Sequence, residues 1–285
     1  NKLLSDLIKR KYSQDNITVK TFDSYIIDLV KISKDEDARK AALSSLGRRG
    51  YTSEIQNILI DVAFDSIDEN KKKYDFIIVD ESQDFKEHWW ELISALMHED
   101  SYLRIFGDMN QNLWGNKKPD IAGLQKIYLK EVFRNSQEIA KRTMLFCDQQ
   151  GENFSLKGPI MGDVILFDTS KEKGLKDIIK QLIRHETIDP SDITILCRNK
   201  RLKALRNTVV AGIKISDDWS NRSEDIFATT VYHFKGLESH IVIMMIDDDW
   251  SLEELYIGMS RAITNLYICA IEGKLKGIRR VLDID

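Results

Sequence analysis

Six short apolar runs, separated by helical patterns, constrain this chain more than any other feature. They lie at residues 76–79 (FIIV), 103–106 (LRIF), 164–167 (VILF), 193–196 (ITIL), 241–246 (IVIMMI) and 266–268 (LYI). Their length and β-branched content predict buried strands. Helical spacing falls between them, over residues 89–97, 136–147, 175–183 and 252–263. Ser136, followed by Glu138 and Ile139, is a fitting helix entry because its hydroxyl caps orphan amides. Strands alternating with helices predict an α/β fold whose parallel sheets are covered on both faces. The three prolines, Pro119, Pro159 and Pro190, sit in loop-like company, and no internal repeat or low-complexity tract interrupts the pattern.

At 285 residues the length predicts two domains, at roughly 150 residues each. The expected division leaves one α/β unit in residues 1–126 and another in 127–285. Hydrophobic residues make up 42%, enough to fill a core in each. The 42 basic against 46 acidic residues give a net charge of −4, which excludes a histone-like polycation and an acidic disordered chain. A local basic groove for nucleic acid stays open. Cys147, Cys197 and Cys269 form no CxxC pair, which argues against a disulfide scaffold or cysteine zinc site and fits a reducing cytosol. The run at 241–246 is far too short to span a bilayer, and no signal-peptide pattern opens the chain. Asn1 stands without an initiator Met, so a processed terminus or a piece of a longer protein is expected.

The sharpest local feature is YDFIIVDESQD at 74–84. A buried strand ending in Asp80 and Glu81 places two carboxylates at the sheet's C-terminal edge, where α/β folds bind ligands. Hard oxygens there suit Mg²⁺, and the second carboxylate can orient an attacking water. The alternative is a helix start with acidic residues at its positive dipole end. A second strand ends in GDMNQ at 107–111, followed by Trp114. Gln111 there is suited to sense a terminal phosphate, or the segment is a simple turn.

Taken in order, these segments resemble the UvrD/Rep-like group of superfamily 1 helicases. IIVDESQDF at 77–85 is similar to motif II (Walker B), GDMNQ at 107–111 to motif III, and LKEVFRNS at 129–136 to motif IV. TVYHFKGLE at 230–238 resembles motif V, and YIGMSRA at 256–262 motif VI. Thr21-Phe22-Asp23-Ser24 is similar to the family's nucleic-acid-contacting TFHS segment. The resemblance implies two RecA-like lobes, ATP in the cleft and single-stranded nucleic acid across the top.

Several departures bear on activity. No GxxxxGK[ST] occurs, so the phosphate-cradling nest and its lysine are missing. Asn1 falls between the family's first motifs and Thr21, and a first lobe truncated at its N-terminus, with a short helical insertion, is the expectation. Tyr232 takes the usual histidine position of motif V, with His233 after it, and Asp23 replaces the histidine of TFHS. Only residues 199–228 separate Arg198 from Thr229, so the family's accessory insertion is absent there and unwinding is less expected than translocation.

By resemblance, Asp80 and Glu81 hold Mg²⁺, Glu81 polarises the hydrolytic water, and Gln111 reports the γ-phosphate of ATP. Arg134 and Arg261 neutralise charge on the transferring phosphoryl, with Gly236 on the nucleotide side and Glu238 facing the ribose. Thr21, Phe22, Trp114, Thr230, Tyr232 and His233 are the nucleic-acid candidates, with DNA the favoured form. An aromatic there can stack on a base without sequence preference; for Phe22 core packing is the competing reading. The basic stretches at 71–73 and at Arg198, Lys200, Arg201, Lys203 and Arg206 read as solvated faces, the second within reach of phosphates. An ATP-dependent helicase or translocase in the cytoplasm is therefore the leading function. A non-catalytic binding module on the same fold is the alternative, and a metal nuclease using Asp80, Glu81 and Asp84 ranks third.

Overall fold

The computed structural model describes residues 2–12, 16–112, 123–146, 154–169, 174–247 and 250–284. The chain divides into two compact units, Asn1–Ala122 and Gly123–Asp285, a few residues ahead of the boundary read from the sequence.

The first unit opens with four helices, α1 (Lys2–Lys11), α2 (Phe22–Lys31), α3 (Glu36–Arg49) and α4 (Ser53–Asn70). Thr21, Asp35 and Thr52 cap α2, α3 and α4, each side chain accepting an orphan amide of the first turn. Ile26, Leu29 and Val30 of α2 are buried in one cluster with Leu59, Ala63 and Ile67 of α4. β1 (Tyr74–Val79), α5 (Glu87–Ala95) and β2 (Met97–Ile105) then form a βαβ unit with the two strands parallel. Ile77 and Val79 pack with Trp90 and Ile93 of α5. On the opposite face Phe76, Ile78 and Tyr102 are 49%, 63% and 60% exposed. Cover on both faces, expected from the strand–helix alternation, is thus not met in this sheet among the described residues.

The second unit holds β3 (Glu131–Val132), α6 (Gln137–Thr143), β4 (Ser155–Leu156), β5 (Asp163–Asp168), α7 (Gly174–Lys180), β6 (Ile193–Leu196) and α8 (Asn199–Leu205). It continues through β7 (Val209–Val210), β8 (Ile213–Ser216), β9 (Ile226–Thr229), α9 (Val231–Phe234) and β10 (Ser239–Met245). α10 (Leu252–Met259), β11 (Ala262–Ala270) and α11 (Glu272–Leu282) complete it. Seven strands form one sheet in the order β5-β11-β10-β6-β9-β8-β7, parallel throughout except for the β7–β8 pair. Every residue of β6 and β9 is buried, as expected of strands covered on both faces. The fold is the mixed α/β class, dominated by parallel sheet, that the sequence predicts.

All six predicted strands form. β8 and β9 were not read from the sequence. The predicted helix at 252–263 stops at Met259, and Ala262 and Ile263 already belong to β11. Ser260 Oγ donates to the Ile257 carbonyl at 2.8 Å, turning back on the last turn, and the β-branched pair Ile263-Thr264 favours the strand. Arg261 therefore lies in the turn between α10 and β11.

Cys197 and Cys269 are free and buried, and burial pushes both thiols up to about 12. The thiol is the unreactive form, so both stay protonated in the folded chain at pH 8. Ellman's reagent is expected to leave them unmodified under native conditions and to modify both in guanidinium; rapid native reaction would place them at the surface. No helix among the described residues is long and apolar enough to cross a membrane.

Candidate functional site

In the first unit the chemistry gathers where β1 and β2 end. Val79 is in register with Ile105, so the two strands finish level. Phe106 N donates to the Val79 carbonyl at 2.8 Å, and Ser82 N donates to the Phe106 carbonyl at 3.0 Å. The loops after the strands are thereby zipped together, and Asp80, Glu81 and Gln111 are carried on one sheet edge. Asp80 is exposed, and its Oδ1 accepts from Glu81 N at 2.9 Å. Glu81 has φ 54° and ψ 43°, the left-handed region that costs a non-glycine residue about 1–2 kcal/mol. Such strain concentrates at functional sites.

Gln111 sits in a single 3₁₀ turn, Met109–Gln111. Asp108 Oδ1 accepts from Asn110 N at 3.0 Å, and its Oδ2 accepts from Gln111 Nε2 at 2.9 Å. The segment is therefore both the turn its composition predicts and the support for Gln111. Gly107 is required by close approach: a Cβ there would lie 2.1 Å from Ser82 Oγ.

Mg²⁺ takes one or two carboxylates together with substrate phosphates and keeps several waters. Asp80 with Glu81 fits a Mg²⁺ that arrives on a nucleotide. No group of three or more His, Cys, Asp or Glu residues suited to a metal occurs among the described residues. The site that a nuclease would build from Asp80, Glu81 and Asp84 is thus not formed.

In the second unit Arg134 and Arg261, distant in sequence, meet at Ser260. Arg134 Nη2 donates to the Ser260 carbonyl at 3.2 Å, and Arg261 Nη2 donates to Ser260 Oγ at 3.1 Å. Arg134 also pairs with Glu238 at 3.3 Å, both side chains being nearly half exposed. Arg261 is only 2% exposed, with Nε donating to the Ile257 carbonyl at 3.2 Å and Nη1 to the Leu237 carbonyl at 3.3 Å. Gly236 has φ 80°, which brings the chain from α9 into β10. The buried Asn135 donates to the carbonyls of Ser260 at 2.8 Å and Ala262 at 2.6 Å, fastening the Arg134 loop to the Arg261 turn.

The nucleic-acid candidates fall in two places. Thr21 is the cap of α2, accepting from Ser24 N at 3.2 Å. Phe22 is half-buried, its ring stacked on Trp89 at 4.4 Å and tilted against Phe85 at 5.0 Å. Asp23 accepts from Tyr51 Oη at 2.6 Å and from Gln56 Nε2 at 3.0 Å. In the second unit Thr230 is buried and caps α9, accepting from His233 N at 3.3 Å, while Tyr232 and His233 are exposed. Burial and then the neighbouring Glu254 carboxylate, with which Tyr232 shares a hydrogen bond, raise the Tyr232 hydroxyl above its ordinary value. Trp114 lies outside the described residues.

Sequence reasoning missed the cluster around Glu254. That carboxylate is 3% exposed and accepts from Arg198 Nη2 at 2.7 Å and from Ser251 N at 2.9 Å. The Arg198 guanidinium lies 6.0 Å from the Trp250 ring centre. A capping box, Ser251 with Glu254, was the available signal, but the arginine comes from a distant loop and has none. Gln83 and Asp108 were likewise missed, although both stand inside the quoted motifs.

Residues 3–130 match the family model described as UvrD/REP helicase N-terminal domain. No curated protein matches the chain. Among solved structures, the C-terminal domain of a possible DNA helicase from Lactobacillus plantarum WCFS1 is 21% identical with a TM-score of 0.36, covering 49% of this chain and 87% of that one. The PRRSV helicase is 10% identical with a TM-score of 0.40, and the alignment covers 70% of this chain and 36% of that one. The family-model match thus makes residues 3–130 similar to the N-terminal domain of the UvrD/REP helicases.

Proposed function

We propose that the chain is part of an ATP-dependent helicase or translocase acting on single-stranded nucleic acid, with DNA the favoured form. One observation carries the reading: the level ends of β1 and β2 present Asp80, Glu81 and Gln111 on one edge. In this reading Asp80 and Glu81 hold Mg²⁺, which with ATP supplies charge neutralisation at the phosphates. Glu81 accepts a proton from the attacking water, and Gln111 orients toward the terminal phosphate. Arg134 and Arg261 stabilise charge that grows during transfer, and Gly236 and Glu238 lie on the nucleotide side. Thr21, Phe22, Thr230, Tyr232 and His233 serve the nucleic acid.

A second reading, a binding module that has lost hydrolysis, is favoured by the burial of Arg261, whose guanidinium is engaged by main-chain carbonyls. Turnover separates the two. The 285-residue chain alone is expected to hydrolyse ATP negligibly, because it contains no phosphate-cradling loop. The product of the complete reading frame is expected to hydrolyse ATP when single strand is added, and Glu81→Gln to abolish this. A complete product that binds single strand without turnover would decide for the binding module.

A further inference from the structure

We propose that Gln83 is a positioning residue that holds Glu81 and Gln111 in one register. The proposal rests on the hydrolase reading above and names a residue that reading does not use. Gln83 is fully buried at the start of the loop after β1. Its Nε2 donates to Glu81 Oε2, and its Oε1 accepts from Asp108 N at 3.1 Å. Asp108 then accepts from Gln111 Nε2 through Oδ2 at 2.9 Å. Three hydrogen bonds thus run from the carboxylate at the end of one strand to the amide at the end of the next.

The amide's orientation follows from its neighbours. A main-chain N–H only donates, so Oε1 must face Asp108, which turns Nε2 toward the Glu81 carboxylate. A carboxylate at position 83 could serve Asp108 N but could not donate to Glu81, and an apolar side chain could do neither. Room for the amide depends on Gly107, where a Cβ would stand 3.0 Å from Gln83 Oε1. Glu81 lies outside regular helix and strand, in the left-handed region, so side-chain hydrogen bonds help fix where its carboxylate points. Loss of Gln83 releases that carboxylate and the Asp108–Gln111 turn together. Displacement by about 1 Å can cost on the order of 10²-fold in rate, with little effect on ground-state binding.

Two substitutions test this. Gln83→Met keeps the volume and removes both hydrogen bonds; Gln83→Glu keeps the shape and sets carboxylate against carboxylate. In the 285-residue chain, Gln83→Met is expected to speed amide hydrogen exchange at Asp108 while Ser82 and Phe106 stay protected. In the complete reading-frame product both variants are expected to lose about 10²-fold in strand-stimulated kcat, with KM for ATP nearly unchanged. A folded Gln83→Met protein with wild-type kcat overturns the inference and leaves Gln83 a packing residue. A matched rise in KM at unchanged kcat also overturns it. If Gln83→Glu does not fold, the Met variant decides. Absence of turnover in the unsubstituted protein instead overturns the hydrolase reading, and this inference falls with it.

Discussion

Replacing Arg134 or Arg261 by Ala is expected to lower ATP turnover of the complete reading-frame product by about 10³-fold, the effect of losing an arginine that stabilises transferring phosphoryl charge. Both side chains meet at Ser260, so the double variant is expected to be barely worse than either single one. ATP binding should fall much less than turnover, since the charge they oppose is greatest in the transition state. Stability separates the two positions. Arg134 is partly exposed and its pair with Glu238 is worth under about 1 kcal/mol, so Arg134→Ala should leave Tm nearly unchanged. Arg261→Ala strips a donor from the Leu237 carbonyl in a buried turn, at about 1–3 kcal/mol, while the Ile257 carbonyl keeps the Ser260 hydroxyl. Activity assays with thermal melts check both. Near-normal turnover in both single variants would reduce Arg134 to a surface ion pair and Arg261 to a structural brace.

Arg198→Ala is expected to be among the most destabilising single changes in the second unit. Removing one partner of a buried ion pair costs about 3–5 kcal/mol, because the other charge stays behind. Glu254 is 4% exposed and Arg198 31% by side chain, which places the loss near the lower bound, about 3 kcal/mol. Ser251 N still donates to the carboxylate, which softens the effect without replacing the positive charge. Guanidinium denaturation of the 285-residue chain measures it. A loss under about 1 kcal/mol would mean that water takes the guanidinium's place.

The strands were legible because each carries a run of β-branched or apolar residues bounded by polar ends. Ile193, Ile195, Ile241 and Ile243 go to the core as that pattern requires. The end of α10 was not legible, since residues 260–263 continue an apolar helical spacing. The pairing of Ala262 with Ser239, a contact distant in sequence, joins the local preference of Ile263 and Thr264 in drawing the chain into β11. Phe22 shows the same limit: its neighbours Phe85 and Trp89 come from beyond α4, and ring contacts across such separations leave no mark on local spacing.

The sequence by itself determined the alternation of strands and helices, the α/β class and the short segments in which Asp80, Glu81, Gln111, Arg134 and Arg261 stand. Those properties are written in residue type and in spacing over a few residues, where propensity and burial act. The tertiary structure alone decided which groups hold them. Gln83 reaches Asp108 because the two strands end level, Arg134 reaches Ser260 because Asn135 fastens its loop to the Arg261 turn, and Arg198, just before α8, reaches Glu254 in the first turn of α10. Hydrogen bonds and ion pairs form over about 3 Å in space, and distance along the chain does not report them.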